Sequence, residues 1–102
     1  MNITEETTPR KSIIDILVER NSYEYNLHKA SEEFQELALV LTQKLTKPHK
    51  IDEQEIIDEI GDAEIRLEIL KKLFNREKID RRVAYKLKNF QQYVDSKKYK
   101  NI

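Results

Sequence analysis

Apolar positions along most of this chain recur at steps of three and four residues, the period of an amphipathic helix. One such segment, about 23–45, is followed by a second at about 52–74. The second has a 4-3-4-3-4 spacing typical of a coiled-coil seam. The pattern predicts two long helices, with apolar faces formed by Leu27, Ala30, Phe34, Leu37, Ala38, Leu41 and Leu45 in the first and Ile56, Ile60, Ala63, Leu67, Leu70 and Phe74 in the second.

Helix-breaking and capping residues predict where these elements begin and end. Pro48 ends the first long helix, because proline lacks an N–H and disfavours helix in the preceding residue. Asp52, with Glu55 three residues on, is a good N-cap for the second. An apolar cluster over 13–18 predicts a brief helix before them. After a turn, Asp80 is predicted to cap a last helix of about 81–97, with Val83, Leu87, Phe90 and Val94 on one face.

The composition favours an all-α fold, since the chain has one glycine and two prolines, whereas a β-rich fold needs many tight turns. We expect two long antiparallel helices plus shorter flanking helices. So few helices per chain predict self-association, with a four-helix-bundle core completed by dimerisation. The predicted organisation is a flexible tail over 1–10, one all-α domain over 11–98 and a frayed C-terminus over 99–102.

Charge and composition also narrow the function classes. The 19 basic and 19 acidic residues cancel, which argues against a nucleic-acid partner because such proteins usually carry a basic excess. Without cysteine, thiolate chemistry and Cys-based zinc sites are excluded. No apolar run is long enough for a transmembrane helix, and the first residues lack signal-peptide features. We therefore expect a cytoplasmic protein with no membrane partner.

Two pairs of acidic residues are candidates for metal binding. Glu33 and Glu36 are three residues apart on the first long helix, as are Glu59 and Asp62 on the second. Residues at that spacing share a helix face, so antiparallel helices can bring both pairs together. Four converging carboxylates suit a hard cation such as Mg²⁺.

The position of the second pair adds to this interpretation. Glu59 and Asp62 fall between the main seam and a second apolar set, Ile65, Ile69 and Leu73. Partly buried carboxylates close together repel one another and have raised pKa values unless a cation compensates them. Gly61, a poor helix former, indicates that a backbone or ligand approaches this helix closely. Periodicity alone leaves two interpretations open, a metal site and ordinary solvated surface charge.

The order EExxE (Glu32, Glu33, Glu36) followed by ExxD (Glu59, Asp62) resembles the MazG-like, all-α nucleoside triphosphate pyrophosphohydrolases. The segments KASEEFQEL and IIDEIGDAEIRLEILKKLF look like the short phage-type members, and the resemblance covers about 26–74. It implies that Glu33, Glu36, Glu59 and Asp62 bind Mg²⁺, with Mn²⁺ as an alternative ion. It also implies hydrolysis of a (d)NTP between the α- and β-phosphates, by a dimer or dimer of dimers.

Other charged residues have two open roles each. Glu32 is a candidate general base or a solvated charge. Lys29 and Arg66 lie one turn from the acidic pairs, so they are candidates for binding phosphate or for salt bridges within the cluster. Lys86, on the last helix, is a looser match to a basic position of the family.

An alternative function class fits the same apolar faces: a non-catalytic helical dimerisation or regulatory module in which the acidic cluster is solvated charge. Self-association is expected under either function. Metal-dependent hydrolysis of a nucleotide distinguishes the two.

Overall fold

The computed structural model describes residues 11–96, and within that range the regular elements are four helices without a strand. They are α1 (Ile13–Arg20), α2 (Tyr23–Thr46), α3 (Glu53–Leu73) and α4 (Arg76–Ser96). The predicted all-α class is confirmed. The predicted tail over 1–10 and frayed end over 99–102 lie outside the described residues. None of these four helices has the length and apolar character needed to cross a membrane.

Each helix begins at a short polar side chain that accepts a hydrogen bond from the backbone N–H three residues on. At α3 the predicted cap is confirmed, because Asp52 Oδ1 accepts from the N–H of Glu55 at 2.9 Å. Ser12 and Ser22 cap α1 and α2 in the same way. These bonds satisfy N–H groups that have no partner inside the helix.

The predicted start of the last helix is wrong. Helix α4 begins at Arg76, five residues before the predicted Arg81. Its cap is Asn75, whose Oδ1 accepts from the N–H of Lys78 at 3.0 Å. Asp80 lies inside the helix, 3.5 Å from Arg76. Asparagine is as good a cap as aspartate, so the sequence alone did not distinguish Asn75 from Asp80.

Helices α2 and α3 form an antiparallel hairpin. The ring of Tyr23, at the start of α2, contacts that of Phe74, just after α3, with centroids 6.1 Å apart. At the other end, Lys44 Nζ donates to the carbonyl oxygens of Pro48 at 3.3 Å and Ile51 at 2.9 Å, which fixes the connection. This pairing brings the middle of the two helices side by side.

Helix α1 packs against α3, and Asp15 of α1 forms an ion pair with Lys72 at 3.2 Å. The core is small: its buried members are Asn26, Ala30, Ile51, Ala63 and Ile69. Ile69 belongs to the second apolar set of α3 and Ala63 to the main seam, so each apolar set contributes one buried residue to this core.

Much of the main seam is uncovered in the single chain. Ile60, Leu67 and Phe74 are 49%, 44% and 46% exposed. Helix α4 makes few contacts with the other helices. The radius of gyration is 18.7 Å, whereas a compact domain of this length has roughly 13 Å. Residues 11–96 therefore hold a hairpin core with two apolar surfaces that they do not cover themselves.

Candidate metal centre

Three of the four predicted carboxylates converge where α2 and α3 run side by side. Glu33 on α2 and Glu59 and Asp62 on α3 each place one oxygen atom so that the three lie within 4.8 Å of one another. The three-residue spacing on α3 puts Glu59 and Asp62 on one face, and the antiparallel hairpin brings that face to Glu33. Such a group could hold a metal ion.

The burial of this group fits a cation. Glu33 and Glu59 are half-buried, and Asp62 is exposed. The partial burial expected of the α3 pair is therefore confirmed for Glu59 and wrong for Asp62. One oxygen in each half-buried carboxylate, Oε2, is inaccessible and has no hydrogen-bond partner among the described residues. A buried charged oxygen without a partner is costly. A divalent ion at this position would supply the missing partner to both oxygens, and oxygen donors are the ligands that Mg²⁺ prefers.

The electrostatics of Glu33 point the same way. Burial raises its pKa above the ordinary 4.5, and repulsion from Glu36 and Asp62 raises it further, while Arg66 acts in the opposite direction. The neighbouring carboxylates thus act on the pKa of Glu33 in the direction that repulsion predicts. Its ionised form is destabilised in the metal-free protein, and a bound cation relieves that destabilisation.

Glu36 is a neighbour of the converging group whose side chain interacts with that of Glu33. Its side chain is exposed, and it is close enough for its charge to affect Glu33, but it is not one of the three residues whose oxygens meet within 4.8 Å. Its role as a fourth metal ligand stays a prediction.

Arg66 lies in a small cleft beside the carboxylates. The cleft has a volume of about 170 Å³ and is lined by Glu33, Asp62, Ile65 and Arg66. Arg66 Nη1 is buried and has no hydrogen-bond partner among the described residues. A cation with an unused donor next to an acidic group is suited to bind an anionic ligand oxygen. Ile65, which the periodicity assigned only to an apolar set, forms the apolar wall of this cleft.

Lys29 and Glu32 pair with each other. Lys29 Nζ lies 3.1 Å from Glu32 Oε2, and His28 Nε2 lies 3.6 Å from the other oxygen. The Glu32 pairing raises the pKa of Lys29. Of the two open roles for Lys29, the salt bridge is the one observed. The base role of Glu32 stays a prediction.

Lys86 lies on α4 and is not among the side chains that line the acidic cleft. Its Nζ is 5.6 Å from the ring centroid of Phe90 on the same helix. Within one chain, therefore, the structure does not bring Lys86 to the carboxylates.

Comparison with protein-family models, with curated proteins and with solved structures finds no match to this chain.

Proposed function

We propose that this chain is a magnesium-dependent nucleotide pyrophosphohydrolase that cleaves a (d)NTP between the α- and β-phosphates to a (d)NMP and pyrophosphate. The observation that carries the proposal is the convergence of Glu33, Glu59 and Asp62 within 4.8 Å, with two buried oxygens lacking partners. The choice of a triphosphate substrate rests on the MazG-like resemblance of the EExxE and ExxD motifs.

In this proposal Glu33, Glu59 and Asp62 hold Mg²⁺, and Glu36 completes the acidic set. When bound, the ion supplies positive charge to phosphate oxygens and a binding site for water. Arg66 adds a fixed cation in the adjacent cleft, where a phosphate oxygen can accept from its unused Nη1–H.

The chemistry requires one proton acceptor. A water oxygen bonds to the attacked phosphorus, the anhydride P–O bond breaks, and a proton leaves the water. A carboxylate not fully occupied by the ion is suited to accept it. Glu36 is exposed next to Glu33, whereas Glu32 is paired with Lys29, so Glu36 is the better placed of the two.

The proposal includes self-association, as a homodimer or a dimer of dimers. Two apolar grooves along the α2–α3 hairpin support it, with volumes of about 520 and 330 Å³. A second copy covering these grooves would complete a four-helix core. The grooves are lined mainly by Leu27, Ala30, Phe34, Leu37, Ala38, Ile60, Ala63, Leu67, Leu70 and Phe74.

Pyrophosphate release from a panel of NTPs and dNTPs tests the function. Glu33→Gln and Asp62→Asn should each lower the rate by more than roughly 100-fold, since even changes outside the ligand shell of a metal site cost roughly 10–100-fold. Glu24→Gln, an exposed carboxylate on α2, is the matched control and should keep full activity. Equal rates in all three variants, or no release from any nucleotide, would favour the non-catalytic dimerisation module.

A further inference from the structure

Gly61 has no explanation within the single chain. A Cβ atom added there would meet nothing within 4 Å among the residues that the structure describes, so their packing does not require a glycine. Glycine is a poor residue for a helix interior, yet it lies in the middle of α3. Close approach by another molecule is a setting in which glycine is favoured, because it has no side chain.

The surface around Gly61 is apolar and exposed. Ile57 and Ile65 lie one turn before and one turn after Gly61, within about 80° of each other around the helix. They are 50% and 47% exposed. Together the three residues form a stripe, called here the outer face of α3, with a notch at its centre. Two isoleucines around a glycine are suited to receive the ridge of another helix.

Helix α4 carries a matching ridge. Ile79, Val83, Leu87 and Val94 fall within about 80° of one another on this helix. Of these, Val83, Leu87 and Val94 are 51%, 61% and 45% exposed. The described part of the chain leaves this ridge largely exposed. Helix α4 and the outer face of α3 therefore each present an apolar surface that a partner would bury.

The two helices have opposite charge. Helix α3 has seven acidic and three basic residues, whereas α4 has six basic and three acidic residues. Arg82 and Lys86 lie along one edge of the α4 ridge, and Asp58 and Glu64 flank the outer face of α3. Complementary charge of this kind selects partners and steers association.

We propose that α4 of a second copy of this chain packs across the outer face of α3 at Gly61. In a two-fold symmetric dimer, α4 of each copy covers the outer face of α3 of the other copy. One symmetric arrangement therefore buries both the outer face of α3 and the apolar ridge of α4. The inference rests on the self-association proposed above and adds a contact on a second face of α3, apart from the α2–α3 grooves. Because Gly61 lies between Glu59 and Asp62, the contact also holds the part of α3 that carries two of the three converging carboxylates.

The first test is the dimer dissociation constant of Gly61→Ala, measured by analytical ultracentrifugation over a concentration series. The added methyl group fits the single chain and favours its helix, but it fills the notch. We expect the dissociation constant to rise roughly tenfold or more, as for an overpacked contact. Thr42→Ala, an exposed position on α2 with a comparable gain in helix propensity, is the control and should leave it unchanged.

The second test identifies the occupant. The chain has no cysteine, so a single introduced cysteine can form a disulfide only with a cysteine introduced in another chain. Chains with Ile57→Cys and with Leu87→Cys are mixed and oxidised, and we expect a disulfide between the two different chains. A disulfide formed only between two Ile57→Cys chains would show α3 against α3 and overturn the assignment of α4.

The remaining outcomes separate this inference from the proposed function. A monomeric wild type, or a Gly61→Ala dimer as tight as the wild type, overturns the inference. If a Gly61→Ala variant that dimerises as tightly as the wild type no longer releases pyrophosphate, Gly61 leaves room for the ligand instead of a second copy, and the enzymatic function stands. If the dimer behaves as expected but no nucleotide is hydrolysed, the interface stands and the proposed function fails.

Discussion

Glu33→Gln should change stability in opposite directions with and without magnesium. The substitution removes a charge from the converging carboxylates but nearly preserves the shape of the side chain. Two unit charges 4.8 Å apart, the limit that encloses the three oxygens, repel by about 0.9 kcal/mol in water and about 3.5 kcal/mol at an effective dielectric constant near 20. Because Glu33 is only half-buried and Asp62 is exposed, the repulsion energy is close to the lower of these two values.

In a chelating buffer we therefore expect the free energy of unfolding of Glu33→Gln to exceed that of the wild type by about 1 kcal/mol. For a domain of this size that corresponds to a rise of about 4–8 °C in Tm. In Mg²⁺ at about 100 times its Kd, the wild type gains about 2.7 kcal/mol. A variant that binds about 100-fold more weakly gains only about 0.4 kcal/mol, so the order of stability reverses.

The assay is thermal melting followed by circular dichroism, at one protein concentration, in chelator and in Mg²⁺. Glu24→Gln on the same helix should show the full wild-type magnesium shift. A Glu33→Gln variant that is less stable than the wild type in chelator would refute the repulsion argument. A variant with an undiminished magnesium shift would remove Glu33 from the metal site.

Three further predictions concern the metal-free protein and its core. Because the pKa of Glu33 is raised above 4.5 in the folded state, the folded state binds its proton more tightly. In chelator, the stability that this proton gives the wild type should be lost as the pH rises from below 4.5 through the raised pKa, and this loss should lower Tm. The Glu33→Gln variant should lack this pH dependence in parallel melts. Ile69 is fully buried, so Ile69→Ala should lower the free energy of unfolding by about 2–5 kcal/mol. Urea unfolding measures this change, and the helical signal of the folded variant should be unchanged. Asn26 is fully buried and neither its Oδ1 nor its Nδ2 has a partner among the described residues, so Asn26→Leu should be neutral or stabilising in the same urea assay; a loss above about 1 kcal/mol would reveal a bridging water or other partner.

The sequence predicted the long helices well because their signals are local. The apolar period and the Pro48 stop gave α2 from Tyr23 to within one residue of its end at Thr46. The cap at Asp52 gave the start of α3. The start of α4 was missed because Asn75 and Asp80 are both acceptable caps, and only the actual hydrogen bond to Lys78 distinguishes them.

The candidate site was predictable in outline, since E-x-x-E and E-x-x-D spacings place carboxylates on single helix faces. The partners of the neighbouring basic residues were not predictable. Lys29 and Arg66 had equal claims on the cluster from sequence, yet Lys29 turns to Glu32 and Arg66 lines the cleft. A one-dimensional pattern gives the angle of a residue around its helix, but the contact also depends on how the second helix is rotated and shifted.

Sequence alone thus determined the helical class, the two long helices and the candidate carboxylates, because periodicity and capping act within a few residues along the chain. Only the tertiary structure decided that Glu33, Glu59 and Asp62 converge while Glu36 stays outside the group, that Ile69 is fully buried, and that the surface at Gly61 is open. Those features depend on the register between helices, which is set by the packing of residues distant in sequence.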